Sequence, residues 1–319
     1  MRERIDLIIT LKINSTKHYN KQRGYMKDSI VISPIFYMGN KKKIINKGLI
    51  DLFPDNIHRF IDLFSGSAIV AMNAKSEEFI INDTDSNLYD LYTLFKTTNS
   101  QDIISHIQNR IDEYGLARER TKRNQFEDKE KIDLYKKAYT NLRTYYNSNH
   151  NILDFYTLMF YSFSQQFRFN SKGEFNMPCG NDCFSDKNED YIKNGCSFFS
   201  KPSVKITNFD FRKLSIGRLK SDDFVYLDPP YFNTTATYNE NNGWSMQDDL
   251  DLFEVCEQLS SHNIRFGMSN VFKCKGKENT HLIEWCEKCG WNVYTFDNFT
   301  YMACGKGNSE AKEVFICNY

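Results

Sequence analysis

The chain has 319 residues and a formal net charge of zero, with 41 Lys and Arg against 41 Asp and Glu. That length allows one large domain with an insertion, or two domains, and the neutral balance excludes a global field that draws the protein to polyanions. Nine cysteines in a chain this long read as reduced thiols of a cytoplasmic protein, not as a secreted disulfide framework. Residues 1–50 hold eleven Lys and Arg against three Asp and Glu, so a local basic surface can meet phosphate or simply be solvated. Cys286-x-x-Cys289 and the looser pair Cys179 and Cys183 lack a second pair at zinc spacing, so no metal site is expected. "DLIITL" (Asp6–Leu11) is too short for a signal peptide, and no apolar run approaches the ~18 residues of a membrane span.

In chain order, residues 1–30 are polar, basic and weakly patterned, and read as an arm or a short helix. "RFIDLFSG" (Arg59–Gly66) and "EFIINDTD" (Glu78–Asp85) read as strands flanking the helix-like "SAIVAMNAKS", a βαβ unit expected to be parallel. From Leu88 to Tyr146 apolar residues recur at three- and four-residue spacing, as in "DIISHIQNRIDEYG" and "KEKIDLYKKAYTNLRTYYN". The charge run between them reads as a solvated face or loop. Residues Ile152–Phe167 are apolar around most of a helical circumference and predict a buried helix. Asn170–Asp190 reads as loop. Five strands follow: Ser203–Phe211, Asp223–Tyr231, Asn263–Asn270, Trp291–Phe299 and Lys312–Tyr319, the last two as an antiparallel hairpin. The fold class is therefore α/β, a doubly wound Rossmann-like sheet of seven strands interrupted by a helical segment of about a hundred residues. Residues 1–95 and 200–319 form one expected domain, and 96–199 an inserted helical one.

Two strand ends carry acids beside small residues. In "FIDLFSGSAIVAMN", Asp62, Phe64, Gly66 and Ser67 lie at a strand-to-helix turn where backbone can approach an anion. A single glycine argues against a dinucleotide fingerprint. "INDTDSNL" ends the next strand with Asp83, an acid placed to hold a ribose diol. The pair suits a nucleoside with an anionic tail, and S-adenosylmethionine fits; ordinary capping residues fit each motif singly. In "VYLDPPYFNTTATY", Val225–Leu227 read as a buried strand that Pro229 and Pro230 cannot continue, since each lacks an N–H. Asp228 and Tyr231 are thus held beside stiff backbone at a strand's carboxyl end, where open α/β sheets bind ligands.

These stretches resemble the Dam-like family of N6-adenine-specific DNA methyltransferases, the members with the alpha-type motif order. "FYMGNKKK" (Phe36–Lys43) resembles the family's N-terminal cofactor motif. "DLFSGSA" is similar to its D-x-F-x-G-x-G loop, with Ala68 where glycine is usual. "INDTD" and "ITNFDF" resemble its next two strand ends, and "FRFNSKGEFNMPCG" (Phe167–Gly180) its segment against DNA. "DPPY" matches in full, and "FGMSN" and "EVFICNY" resemble its late strands. The matches run in family order from Ser33 to Tyr319.

The resemblance implies a cofactor, S-adenosylmethionine, held by Tyr37, Gly39, Lys41, Asp62, Phe64, Ser65, Gly66, Ser67, Asp83, Asp210, Phe211 and Asp228. Asp210 would meet the adenine ring, and Lys41 the cofactor carboxylate or a phosphate. Asp228, Pro229, Pro230 and Tyr231 would be catalytic. The Asp228 carboxylate and the Pro229 carbonyl can accept the two N6 hydrogens of adenine and stabilise the positive charge that develops there. Tyr231 would stack on the base once it leaves the duplex. Arg168, Asn170, Lys172, Asn176 and Pro178 would face DNA, either base edges or phosphates. "TTATYNENNGW" (Thr234–Trp244) reads as a polar cover or a tolerated insertion. The expected activity is site-specific adenine-N6 methylation of double-stranded DNA in a restriction-modification system. A cognate restriction endonuclease is the expected partner, S-adenosylhomocysteine the product, and no membrane is involved. The rivals are an exocyclic-amine methyltransferase acting on cytosine N4 or RNA, and a catalytically silent DNA-binding module.

Overall fold

Alternate residues of the central strands point to opposite faces and feed separate cores. Phe60, Phe224 and Tyr226 enter one, while Ile61, Val225 and Leu227 enter the other. The computed structural model describes residues 30–121, 129–231, 244–274, 277–299 and 311–319. The seven main strands are β1 Arg59–Asp62, β2 Glu78–Asn82, β3 Val204–Thr207, β4 Asp223–Leu227, β5 Arg265–Cys274, β7 Asn292–Phe299 and β8 Ala311–Cys317, and a two-residue β6, Lys277–Glu278, pairs with β5. Their spatial order is β3-β2-β1-β4-β5-β8-β7. The first five are parallel, whereas β8 runs antiparallel between β5 and β7. This is the expected α/β class with its C-terminal hairpin. The chain winds outward from β1 through β2 to β3, then returns to β4 on the other side. The order reverses between β1 and β4, the position where such sheets take ligands.

Several expected boundaries move. Strand β1 stops at Asp62 because Ser65 turns back, its hydroxyl donating to the Asp62 carbonyl at 2.8 Å. Strand β2 stops at Asn82, which ties three strand ends together: its side-chain amide donates to the Leu63 and Phe209 carbonyls, and its Oδ1 accepts from Phe209 N–H and the Thr207 hydroxyl. Strands β3 and β4 likewise end short of the sequence-based limits, β4 one residue before Asp228. Strand β5 instead continues past Asn270 to Cys274, because β8 pairs alongside it.

Helix α1 is Lys42–Ile45, and α2, Ile69–Asn73, spans only five residues. Helices α3 Ser86–Thr97, α4 Ser100–Tyr114, α5 Lys129–Asn149, α6 Ile152–Tyr161 and α7 Asp186–Phe199 make up the helical stretch. The buried helix ends at Tyr161, not Phe167, because Ser164 and Gln165 take left-handed φ of 55° and 56°. Helix α7 begins inside the expected loop, where Ser185 and Asn188 form a capping box. Their side chains do not form an isolated core: Tyr92, Phe95, Tyr156 and Phe199 pack in the same cluster as Phe60 and Phe224 of the sheet. Helices α8 Met246–Ser261 and α9 Thr280–Cys289 cover the opposite face. Among the described residues no helix is long and apolar enough to cross a membrane. Residues 1–29 of the N-terminal arm, and all of the proposed cover except Trp244, lie outside the described residues.

Candidate active site

Two aspartates leave adjacent parallel strands at the reversal point. Asp62 is the last residue of β1, and Asp228 follows the last residue of β4. Asp62 is 1 % exposed, and neither of its carboxylate oxygens has a hydrogen-bond partner among the described residues. Burial, then the neighbouring Asp228 and Asp83, hold its carboxyl well above the usual range. The Ala71 N–H, short of bonding geometry, and the Lys41 ammonium oppose that rise.

Asp228 has partners on both oxygens. The buried Lys41 ammonium lies 2.7 Å from Oδ2, and the Tyr231 hydroxyl donates to Oδ1 at 3.0 Å. Burial raises the Asp228 carboxyl, while Lys41 and Tyr231 hold it back. Lys41 also donates to the Gly39 carbonyl at 3.0 Å and lies 5.1 Å from the Tyr231 ring centroid. The sequence placed this lysine against cofactor or phosphate; the fold points it at the carboxylate of the DPPY segment. Lys42 and Lys43 are exposed, as expected of solvated residues. Pro229 is buried and Pro230 exposed.

Gly66 fits the turn after β1 for two reasons. Its φ is +51°, and a Cβ there would fall 2.9 Å from Tyr37 Cδ1. Asp83 Oδ2 accepts the Gly66 N–H at 2.9 Å, and Oδ1 accepts from Asp85 N–H at 3.0 Å. Burial pushes the Asp83 carboxyl up to about 6 against those two bonds. Asp85 instead caps α3 through Asn87 N–H. Ser67 is buried and its carbonyl accepts from the Ser33 hydroxyl. Ala68 takes φ +57° at the start of α2, a conformation that costs a non-glycine residue. With five residues, α2 offers little macrodipole to an anion.

The aromatic side of the site is separate. Phe64 lies 5.5 Å from Phe211, and Trp244 lies 5.8 Å and 5.6 Å from those two rings. The Trp244 indole N–H donates to the buried Asp249 at 2.6 Å. Asp210 caps the turn at Phe211–Lys213 and pairs with Arg212 at 3.1 Å. Its carboxylate is therefore shared with an arginine.

Residues 162–180 form a hairpin with bridges Ser162–Cys179 and Phe169–Phe175. Asn170 Oδ1 accepts the Lys172 and Glu174 N–H groups, and Asn176 Oδ1 accepts from Arg168 at 2.8 Å. Both asparagines therefore shape the hairpin, while Arg168 and Lys172 are exposed. The carbonyl of Pro178, an exposed residue, accepts the Phe163 N–H. The hairpin adjoins the Tyr37 segment: Phe167 lies 6.2 Å from Tyr37, and the Gln166 amide donates to the Phe36 carbonyl.

The sequence pattern of the D12 class N6 adenine-specific DNA methyltransferases matches residues 37–295, from this Tyr37 segment into β7. The chain belongs to that class. Over 97 % of its length the D12 chain is 33 % identical to the modification methylase StsI of Streptococcus sanguinis, covering 44 % of that protein. It is 31 % identical to the type II methyltransferase M.FokI of Planomicrobium okeanokoites over 98 % of its length and 47 % of the relative. A DNA adenine methylase of Vibrio cholerae is 24 % identical over 75 % of this chain and 78 % of its own. The D12 chain thus spans less than half the length of the first two relatives.

Two residues of this D12 site escaped the sequence reading. Glu313 on β8 is fully buried, 3.4 Å from the Tyr231 hydroxyl and 3.9 Å from the Lys41 ammonium. Its signal was parity: it shares a strand face with Phe315 and Cys317, both core residues. Trp244 was read as part of a polar cover, yet it packs against Phe64 and Phe211.

Proposed function

We propose that this chain transfers a methyl group from S-adenosylmethionine to the N6 amine of an adenine turned out of duplex DNA. The observation that carries the reading is the pair Asp62 and Asp228 at the reversal point of the sheet, one without a partner among the described residues and one followed by two prolines. A buried carboxylate with no donor fits a ligand that brings its own cation, and S-adenosylmethionine carries an ammonium. Asp62 would hold that ammonium, with the Gly66–Ser67 backbone and Tyr37 beside it. Asp83 would accept the ribose hydroxyls, and Asp210 the adenine amine. Phe64, Phe211 and Trp244 offer an apolar wall for the ring. The cofactor, when bound, supplies an activated methyl group and leaves as S-adenosylhomocysteine.

Asp228 and the Pro229 carbonyl would accept the two N6 hydrogens and stabilise the charge that N6 gains as it bonds to the methyl carbon. Tyr231 would face the extruded base, with the unstacking cost of a few kcal/mol partly offset by its ring. Arg168 and Lys172, exposed on the hairpin, would contact the duplex. Residues 1–95 and 200–319 are the proposed catalytic unit, and 96–199 the target-recognition unit. The name of the Streptococcus sanguinis relative suggests a modification role; a cognate endonuclease as partner and a cytoplasmic location are part of the same proposal. Radiolabelled methyl transfer to a duplex library, followed by mapping of the modified base, tests the reading. Label on adenine N6 at one sequence supports it. Label on cytosine N4 or RNA moves the substrate, and no label on any nucleic acid removes the activity.

A further inference from the structure

Glu313 is a charged residue where the strand pattern calls for core. It is fully buried on β8, the strand between β5 and β7. Its Oε1 is 3.4 Å from the Tyr231 hydroxyl and 3.9 Å from the Lys41 ammonium. Those same donors now bind Asp228, at 3.0 Å and 2.7 Å. Two carboxylates therefore share two donors. On the methyl-transfer reading, on which this inference rests, Asp228 must accept an N–H of the target amine. To turn toward that amine it must loosen its hold on Tyr231 and Lys41. A buried donor stranded without an acceptor is strongly disfavoured.

We propose that Glu313 is a positioning residue: it takes the Tyr231 hydroxyl and draws the Lys41 ammonium as Asp228 turns to the substrate amine. The exchange needs a turn of one hydroxyl and a small movement of one lysine head, since both already lie near Glu313. No covalent bond changes. Glu313 acts through Asp228 and need not touch the base. Its removal locks the donors onto Asp228 and makes the freed state costly. The substituted enzyme then keeps its cofactor affinity but reacts slowly.

Three variants test this under single turnover. Glu313→Gln is expected to slow methyl transfer by about tenfold to a hundredfold, the span for one buried donor poorly paired, with the cofactor dissociation constant nearly unchanged. Tyr231→Phe removes the hydroxyl that needs an acceptor. The double variant should therefore react faster than Glu313→Gln alone. A purely structural Glu313 gives additive losses instead, and additivity overturns the proposal. A crystal structure of the full chain carrying Asp228→Ala supplies a readout independent of activity. The Tyr231 hydroxyl and Lys41 ammonium are expected within hydrogen-bond reach of Glu313. A Tyr231 turned to solvent overturns the proposal. If the wild-type protein methylates no DNA, the functional reading falls by itself, and the Asp228→Ala structure still decides the role of Glu313.

Discussion

The loops after β1 and β4 begin alike and end differently. Each starts with a largely buried aspartate at the carboxyl end of a parallel strand, and in each burial raises the carboxyl. Asp62 then meets no donor among the described residues, whereas Asp228 is capped by Lys41 and Tyr231. A fold tolerates an unpartnered buried carboxyl at a cost to stability, and such costs collect where a ligand completes the pairing. On the proposed reading, the first loop takes a cation from outside and the second exchanges a donor among the chain's own residues.

Removing each carboxylate should separate the two loops. Asp228→Ala is expected to lower the methyl-transfer rate ~10²–10³-fold, the usual loss of one positioned acceptor, while calorimetry finds cofactor affinity largely intact. It should also destabilise the chain by about 1–3 kcal/mol, because the buried Lys41 loses its nearest carboxylate. A near-normal single-turnover rate would put the amine acceptor elsewhere.

Asp62→Asn should show the opposite balance. Cofactor binding is expected to weaken by about 1.5–3 kcal/mol, the worth of a charge-assisted bond, yet the ligand-free protein should melt higher. The sign follows from its raised carboxyl: the fold opposes ionisation, so the native carboxyl contributes most at low pH and loses that contribution as pH rises. The gain in melting temperature should therefore be larger at alkaline than at acid pH. A drop in melting temperature at every pH would mean that Asp62 is a satisfied structural residue.

Asp83 sharpens the first loop further. Its ionised form accepts the Gly66 and Asp85 N–H groups, and burial pushes its carboxyl up to about 6. Cofactor affinity should fall as pH drops through about 6, with a limiting slope of about one decade per pH unit for one proton. In stability the same group acts the other way, its contribution present at low pH and lost as pH rises through about 6. Titration calorimetry across that window, compared with Asp83→Asn, checks the first sign. An unchanged slope in the variant would transfer the effect to another group.

The smallest effect belongs to Ala68. Relief of its left-handed backbone in Ala68→Gly is worth about 1 kcal/mol, against about 0.8 kcal/mol for the buried methyl group it loses. Melting temperature and cofactor affinity should both change little. A tenfold loss of affinity would make the Ala68 methyl a ligand contact.

Much of this was legible in the chain itself. Short, nearly continuous apolar runs marked the central strands, because a strand between two packed faces needs both parities apolar. Acids at strand ends, Gly66 and the paired prolines marked the loops, because backbone chemistry limits which residues fit there. These are local signals, and they located Asp62, Asp83, Asp228 and Tyr231. Helix α7 was hidden because its polar first turn resembles loop until the Ser185–Asn188 box is seen.

What the sequence determined by itself was the sheet, its class and the aspartates at its carboxyl edge, since periodicity and turn chemistry act over a few residues. Only the tertiary structure decided how those aspartates are paired. Sheet order inserts β8 between β5 and β7 and brings Glu313 to Tyr231, 82 residues away along the chain. The segment before α1 carries Lys41 onto Asp228 rather than out to solvent. The hairpin likewise turns Asn170 and Asn176 onto its own backbone and side chains, leaving Arg168 and Lys172 exposed. Local pattern says which residues can be buried, but which donor meets which acceptor depends on distances that exist only once the strands are assembled.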